Sequence, residues 1–131
     1  MAAIIFFLLI LAAPAEAYEF EARVEKVMDG DTFSFNAALL NISVKDTCRL
    51  LHYNAPERKG PEKAEGEKAK AYLSELIEKK VVRIRAQEQD KYKRWLCEVW
   101  AEGASVNERM RSYLKSYSGL DLYKRLEETS N

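Results

Sequence analysis

The sequence predicts an α+β domain, mainly β: a small barrel of five short antiparallel strands with about three helices. Three observations point there. Five segments carry strand-like patterning, one long segment has clear helical periodicity, and no parallel crossover unit separates the strands. At 131 residues the chain holds one such domain.

The elements follow in order. Apolar and polar residues roughly alternate from Tyr18 to Val27, which reads as a first strand, and Asp29-Gly30-Asp31 supplies turn chemistry after it. Thr32 to Phe35 reads as the returning strand. A less regular stretch precedes a third strand, Val44 to Tyr53, which contains His52 and is ended by Asn54-Ala55-Pro56, because proline cannot donate to a ladder. Ala69, Tyr72, Leu73, Leu76 and Ile77 then fall at helical spacing while Glu and Lys fill the other face, so a helix is expected over 62–79. Val81 to Ala86 and Trp95 to Ala101 read as strands four and five, separated by the charged loop Gln87 to Arg94. A second helix is expected from Val106 to about Tyr117, and a short third from Asp121. The OB-fold, a five-stranded barrel of this element order, is the natural candidate.

The first 17 residues stand apart. Ala2 to Ala13 is almost continuously apolar and is followed by Pro14 and Ala15-Glu16-Ala17, the pattern of a signal peptide with a small-residue cleavage site. The run is well short of the ~20 residues that cross a bilayer as a helix, so a permanent N-terminal membrane anchor is the minor alternative. The expected organisation is a signal peptide over 1–17 and one domain over 18–131, exported to the periplasm or the medium. After cleavage we expect a monomer with no stable membrane association.

Composition removes several function classes. Lys plus Arg and Asp plus Glu are 21 each, and removing the leader deletes only Glu16, leaving about one net positive charge. Overall charge therefore gives no general attraction to polyanions, and any phosphate binding must come from local placement. One histidine, His52, rules out two-histidine mechanisms, and its ordinary reading is a partly buried strand residue. No nucleophile-elbow sequence or phosphate-cradling glycine loop is present. Two cysteines and one histidine lack any zinc-site spacing.

What remains is a set suited to phosphodiester hydrolysis: the acidic pair Asp29 and Asp31, with Arg49, Glu57 and Arg94. Displacement at phosphorus places negative charge on the phosphoryl oxygens, and arginine forks match those oxygens while staying charged. A carboxylate such as Glu57 can orient or deprotonate water, and hard oxygen donors such as Asp31 can hold Ca²⁺.

Singly, each of these residues reads as solvated surface. Their order and local wording carry more weight. Val27-Met28-Asp29-Gly30-Asp31-Thr32, Arg49-Leu50-Leu51, Asn54-Ala55-Pro56-Glu57, Asp90-Lys91-Tyr92-Lys93-Arg94 and Val106-Asn107-Glu108 together resemble the staphylococcal nuclease (thermonuclease) family over roughly Phe20 to Tyr117. The resemblance implies an OB-fold barrel bearing a Ca²⁺-dependent nuclease site that acts on DNA and RNA and leaves 3′-phosphates. On matching positions it implies metal ligation by Asp31, Asn54 and the Ala55 carbonyl, and a phosphate clamp of Arg49 and Arg94. Glu57 falls on the residue that acts on water, and Lys91 and Tyr92 on those that contact a terminal phosphate of the bound nucleotide. Asn107 falls on a structural asparagine.

Two departures from the family pattern matter. Asn54 stands where an aspartate is usual, which removes one charge from the metal site and should weaken it. The chain also stops at Asn131, before the family's last helix normally ends. In the family the strands carrying Cys48 and Cys97 are neighbours, and strand parity turns both sulfurs inward if Arg49 and Arg94 face out. A disulfide inside the barrel and a pair of reduced, packed thiols are both compatible with that arrangement. The competing functional reading is a catalytically weakened module that binds nucleic acid or protein without cutting.

Overall fold

The computed structural model describes residues 16–116. The expected leader, apart from Glu16 and Ala17, and the expected third helix from Asp121 lie outside the described residues. Among the described residues no helix is long and apolar enough to cross a membrane.

Six strands form one sheet: β1 (Tyr18–Asp29), β2 (Thr32–Leu39), β3 (Ile42–Leu50), β4 (Val81–Gln89), β5 (Trp95–Ala101) and the two-residue β6 (Ala104–Ser105). They lie in the order β3-β2-β1-β4-β5-β6, and β3 also pairs with β5, closing the first five into a barrel. Helix α1 (Lys63–Ile77) follows a single 3-10 turn, Gly60–Glu62, and a second helix, α2, covers residues 106–116. This is the α+β, OB-type barrel that the element order predicted.

Its polarity is mixed rather than purely antiparallel. The β3–β5 pairing is parallel, with Cys48 opposite Trp95, Arg49 opposite Leu96 and Leu50 opposite Cys97. Geometry requires this: directions cannot alternate all the way round a ring of an odd number of strands, so one seam must be parallel. Local patterning cannot show which seam it is, because parallel and antiparallel pairs differ in partner and not in side-chain period.

Element bounds also shift. β2 and β3 run on to a tight hairpin at Leu40 and Asn41, through a stretch whose alternation is masked by the exposed apolar residues Leu39, Leu40, Ile42 and Val44. β3 ends at Leu50, so His52 is not a strand residue. It is exposed, at φ 55, in the turn that sends Tyr53 back into the core. β4 continues to Gln89 across an irregularity between Ala86 and Glu88. Helix α1 stops at Ile77 because Glu78 is extended and Lys79 sits at φ 63.

The core is the barrel interior. Val24, Val27, Phe33, Leu50, Ile84 and Val99 are fully or almost fully buried there, capped by Ala69, Leu73 and Ile77 of α1 and by Val106, Met110 and Leu114 of α2. Cys48 and Cys97, both fully buried, form a disulfide in the same interior across the parallel seam.

Candidate active-site cleft

The turn after β1 starts the site. Gly30 lies between the two aspartates with no room for a side chain: a Cβ there would come within 2.8 Å of the Cβ atoms of both Ala55 and Ala69. Glycine lets the acidic turn sit directly on the loop after β3 and on α1. The pairing then continues at once, with Thr32 opposite Arg49 and Leu50 N donating to Asp31 O at 2.8 Å. Asp31 and Arg49 become neighbours through backbone geometry, although 18 residues separate them in sequence.

Asp31 is 7% exposed and heavily used. Its Oδ2 accepts the Ala55 N–H at 3.0 Å and Arg49 Nη2 at 3.4 Å, and its Oδ1 accepts the Thr32 hydroxyl at 2.9 Å. Asp29 stands beside it, with Asp29 Oδ1 taking the Asp31 N–H at 3.3 Å. Burial pushes the Asp31 carboxyl up to about 6, and the adjoining Asp29 carboxyl adds to the rise, while Arg49 and the Ala55 N–H oppose it. Arg49 also donates to Asn54 Oδ1 at 2.8 Å. Tyr53 is buried behind this group with a hydroxyl that finds no hydrogen-bond partner among the described residues, and burial and the Asp31 charge hold that hydroxyl well above its ordinary titration range.

The loop after β3 carries Glu57, which is exposed and held by its backbone: Glu57 N donates to Glu62 Oε2 at 3.2 Å. Its neighbour Arg58 donates to Met28 O at 2.8 Å and to Glu67 at 3.1 Å, pinning the loop to β1 and α1. The turn between β4 and β5 brings the other arginine. Asp90 Oδ1 accepts the N–H groups of Tyr92 and Arg94 at 2.9 and 3.0 Å, and Asp90 Oδ2 takes Arg94 Nε at 2.8 Å. Burial opposes ionisation of Asp90, but these hydrogen bonds outweigh it and its carboxyl lies below the ordinary range. The Tyr92 ring lies 5.1 Å from both the Arg94 guanidinium carbon and Lys91 Nζ.

These segments enclose one open cleft of about 400 Å³, lined by Asp29, Asp31, Arg49, Asn54, Ala55, Pro56, Glu57, Arg58, Lys59 and Arg94. Asp31, Arg49, Glu57 and Arg94, which the sequence scatters over 64 positions, share it. Lys91 and Tyr92 are outside the lining, on the adjoining turn. Sequence reasoning missed Arg58 and Lys59, and it missed the part played by Asp90. The Asp90…Arg94 spacing was an available signal for a clamped turn. Asn107 is structural: its side chain accepts Val99 N–H at 2.9 Å and donates to the carbonyls of Leu51 and Cys97.

A larger groove, about 520 Å³, lies between the start of β1, the β2–β3 hairpin and Trp95. A third groove beside Tyr72 and Tyr113 is larger still, about 770 Å³, and holds no pair of arginines among the described residues, so volume alone does not choose the site. The groove beside Trp95 is mostly apolar, and its few acidic groups face no cation cluster, so the smaller cleft is the reactive candidate.

The oxygen donors fit a hard divalent cation. Two carboxylates crowd together at Asp29 and Asp31 with an amide oxygen at Asn54, and a cation there would offset the burial that disfavours the ionised Asp31 carboxylate. Among the described residues no three of His, Cys, Asp and Glu gather as a metal centre, so a cation here would need neutral oxygens as further ligands.

The barrel is closed and OB-type, and its outer cleft brings two arginines together with carboxylates. Comparison with known proteins gives the family. The model of the family described as staphylococcal nuclease homologue matches residues 47–113, just over half of the chain. An uncharacterized endonuclease of Haemophilus influenzae is 33% identical over 113 residues, covering 82% of this chain and 60% of that protein. The chain thus spans less than two thirds of the length of the relative it matches. It belongs to the family of staphylococcal nuclease homologues.

Proposed function

We propose that this chain is a calcium-assisted endonuclease that hydrolyses phosphodiester bonds of DNA and/or RNA and leaves 3′-phosphate ends. The observation that carries the reading is the convergence of Asp31, Arg49, Glu57 and Arg94 on one cleft of about 400 Å³. Family membership and the name of the Haemophilus influenzae relative support nuclease chemistry in general.

In this mechanism Arg49 and Arg94 donate to the non-bridging oxygens of the scissile phosphate and stabilise the charge that grows there. Both forks are held beforehand, Arg49 by Asp31 and Asn54 and Arg94 by Asp90, so little ordering is left for the moment of reaction. Glu57, exposed on a braced loop, orients a water against phosphorus and takes its proton, and the 5′-oxygen leaves on the opposite side. Asp31, Asp29, Asn54 and the Ala55 backbone would hold Ca²⁺, which supplies further charge neutralisation at the phosphate. Lys91 and Tyr92 contact a terminal phosphate of the bound nucleotide.

Export through the 1–17 leader belongs to the same proposal, and the buried Cys48–Cys97 bridge supports it, since such bridges persist in oxidising compartments.

A second reading has one observation in its favour. Asn54 is neutral and its amide oxygen is already taken by Arg49, which fits a module that binds nucleic acid with a weakened metal site. One experiment separates the two: the purified protein with single-stranded DNA, in Ca²⁺ or in chelator, beside Glu57→Ala and Arg94→Ala. Catalysis requires Ca²⁺-dependent cleavage that drops by about 10²-fold or more in each variant. Equal cleavage by all three proteins removes the mechanism, and retained binding with no cleavage by any of them selects the binding module.

A further inference from the structure

Four cationic side chains line the cleft, and three are already engaged. Arg49 pairs with Asp31 at 3.4 Å, Arg58 with Glu67 at 3.1 Å and Arg94 with Asp90 at 2.8 Å. Lys59 is exposed and joins no ion pair among the described residues. Its backbone is nonetheless well placed. Arg58 before it is tied to Met28 and Glu67, Gly60 after it turns at φ 64 into the 3-10 turn, and Lys59 itself is extended. A fixed backbone thus presents a free ammonium at the rim, two residues from Glu57.

A scissile phosphate offers only two non-bridging oxygens, and the Arg49 and Arg94 forks suffice for them. A strand running through the cleft must also carry its next phosphate past the exposed Glu57 carboxylate, which repels it. A lysine two residues on offsets that repulsion, and a compact, freely rotating ammonium suits a phosphate whose position varies with sequence and strand flexibility.

We propose that Lys59 binds a phosphate adjacent to the scissile one, a contact that an isolated diester cannot make. This rests on the nuclease reading above and assigns it a further subsite.

The test uses the full chain as wild type, Lys59→Ala and Lys59→Arg, with a single-stranded oligonucleotide and with bis(p-nitrophenyl) phosphate, a single diester. Lys59→Ala should raise KM on the oligonucleotide about three- to tenfold with kcat little changed, and lower the salt slope of oligonucleotide binding by roughly 0.7 to 1. The small diester should be turned over as by wild type, and Lys59→Arg should restore most of the oligonucleotide KM. An unchanged oligonucleotide KM, an equal loss on both substrates, or an arginine variant as poor as alanine overturns the assignment. If wild type cleaves neither substrate, the nuclease reading fails by itself. Lys59 is then judged by fluorescence anisotropy of the labelled oligonucleotide: a reduced salt slope in Lys59→Ala supports the subsite, and an unchanged slope and affinity overturn it.

Discussion

Gly66 sits so close to Glu57 that a Cβ there would collide with the Glu57 carbonyl oxygen and stand 2.6 Å from its carbonyl carbon. The first turns of α1 and the loop bearing the proposed base therefore touch backbone to backbone.

Gly66→Ala tests this contact. Alanine is the better helix former by about 1 kcal/mol, so a helix free of the loop would gain stability. Here the obstruction is backbone, which cannot rotate away, and the Glu57 loop must move. We expect a net loss of about 1–3 kcal/mol on unfolding, as for other overpacked sites. A loss of kcat of about tenfold or more should accompany it, because displacements near 1 Å cost that much. Denaturant unfolding and steady-state kinetics measure the two; wild-type turnover with raised stability contradicts the packing argument.

Asn54→Asp tests the proposed metal site. The substitution puts a third carboxylate beside Asp29 and Asp31, while Arg49, now 2.8 Å from the amide oxygen, keeps its acceptor. Charge count is the main lever on calcium affinity, so Ca²⁺ should bind about tenfold more tightly by calorimetry. The metal-free variant should unfold more easily than wild type, since Arg49 alone then faces three carboxylates. An unchanged calcium affinity places the cation elsewhere.

How much of this was legible in the sequence depends on the kind of contact. β1, α1, β4 and β5 announced themselves because each has one buried face and a regular period. The far half of the β2–β3 hairpin did not, because Leu39, Leu40 and Ile42 are apolar yet exposed and erase the alternation. Asp31, Arg49, Glu57 and Arg94 were found through their neighbouring residues and order, since nothing in spacing alone says that positions 31 and 94 share a cleft. Arg58 and Lys59 stayed hidden because a basic pair on a loop looks like any solvated surface. The use of Gly66 depends on a backbone nine residues earlier, which no local pattern records.

Asp90 gives the pH dependence. Its carboxyl is held below the ordinary range in the folded protein, so the folded state binds its proton less readily than the unfolded chain. That contribution to stability is complete above the unfolded value of about 4 and disappears as pH falls through the lower folded value. Wild type should therefore be more stable than Asp90→Asn at pH 5 to 7, and the two melting curves should converge as acidification protonates Asp90 in the folded state, below its ordinary range. At neutral pH the variant also loses the Nε anchor of Arg94, and kcat should drop with it. A stability difference that persists unchanged to the acid limit points to packing rather than charge.

The disulfide separates fold stability from site geometry. It joins β3 and β5 at the parallel seam, where the register holds only three residue pairs, and it closes a separation of 49 residues. Tying the unfolded chain over such a span contributes about 2–4 kcal/mol, so Cys48→Ala/Cys97→Ala should lose that much in denaturant unfolding. The site contacts do not pass through sulfur: Arg49 is held by Asp31 and Asn54, and Leu50 N by Asp31 O. The double variant, assayed well below its melting temperature, should keep near-wild-type kcat. Because both sulfurs are fully buried, mild reductant should act on the wild type only as fast as the barrel opens. If kcat falls in step with reduction while the protein stays folded, the seam sets the Arg49 position directly, and the division of labour between bridge and hydrogen bonds argued from the contacts is wrong.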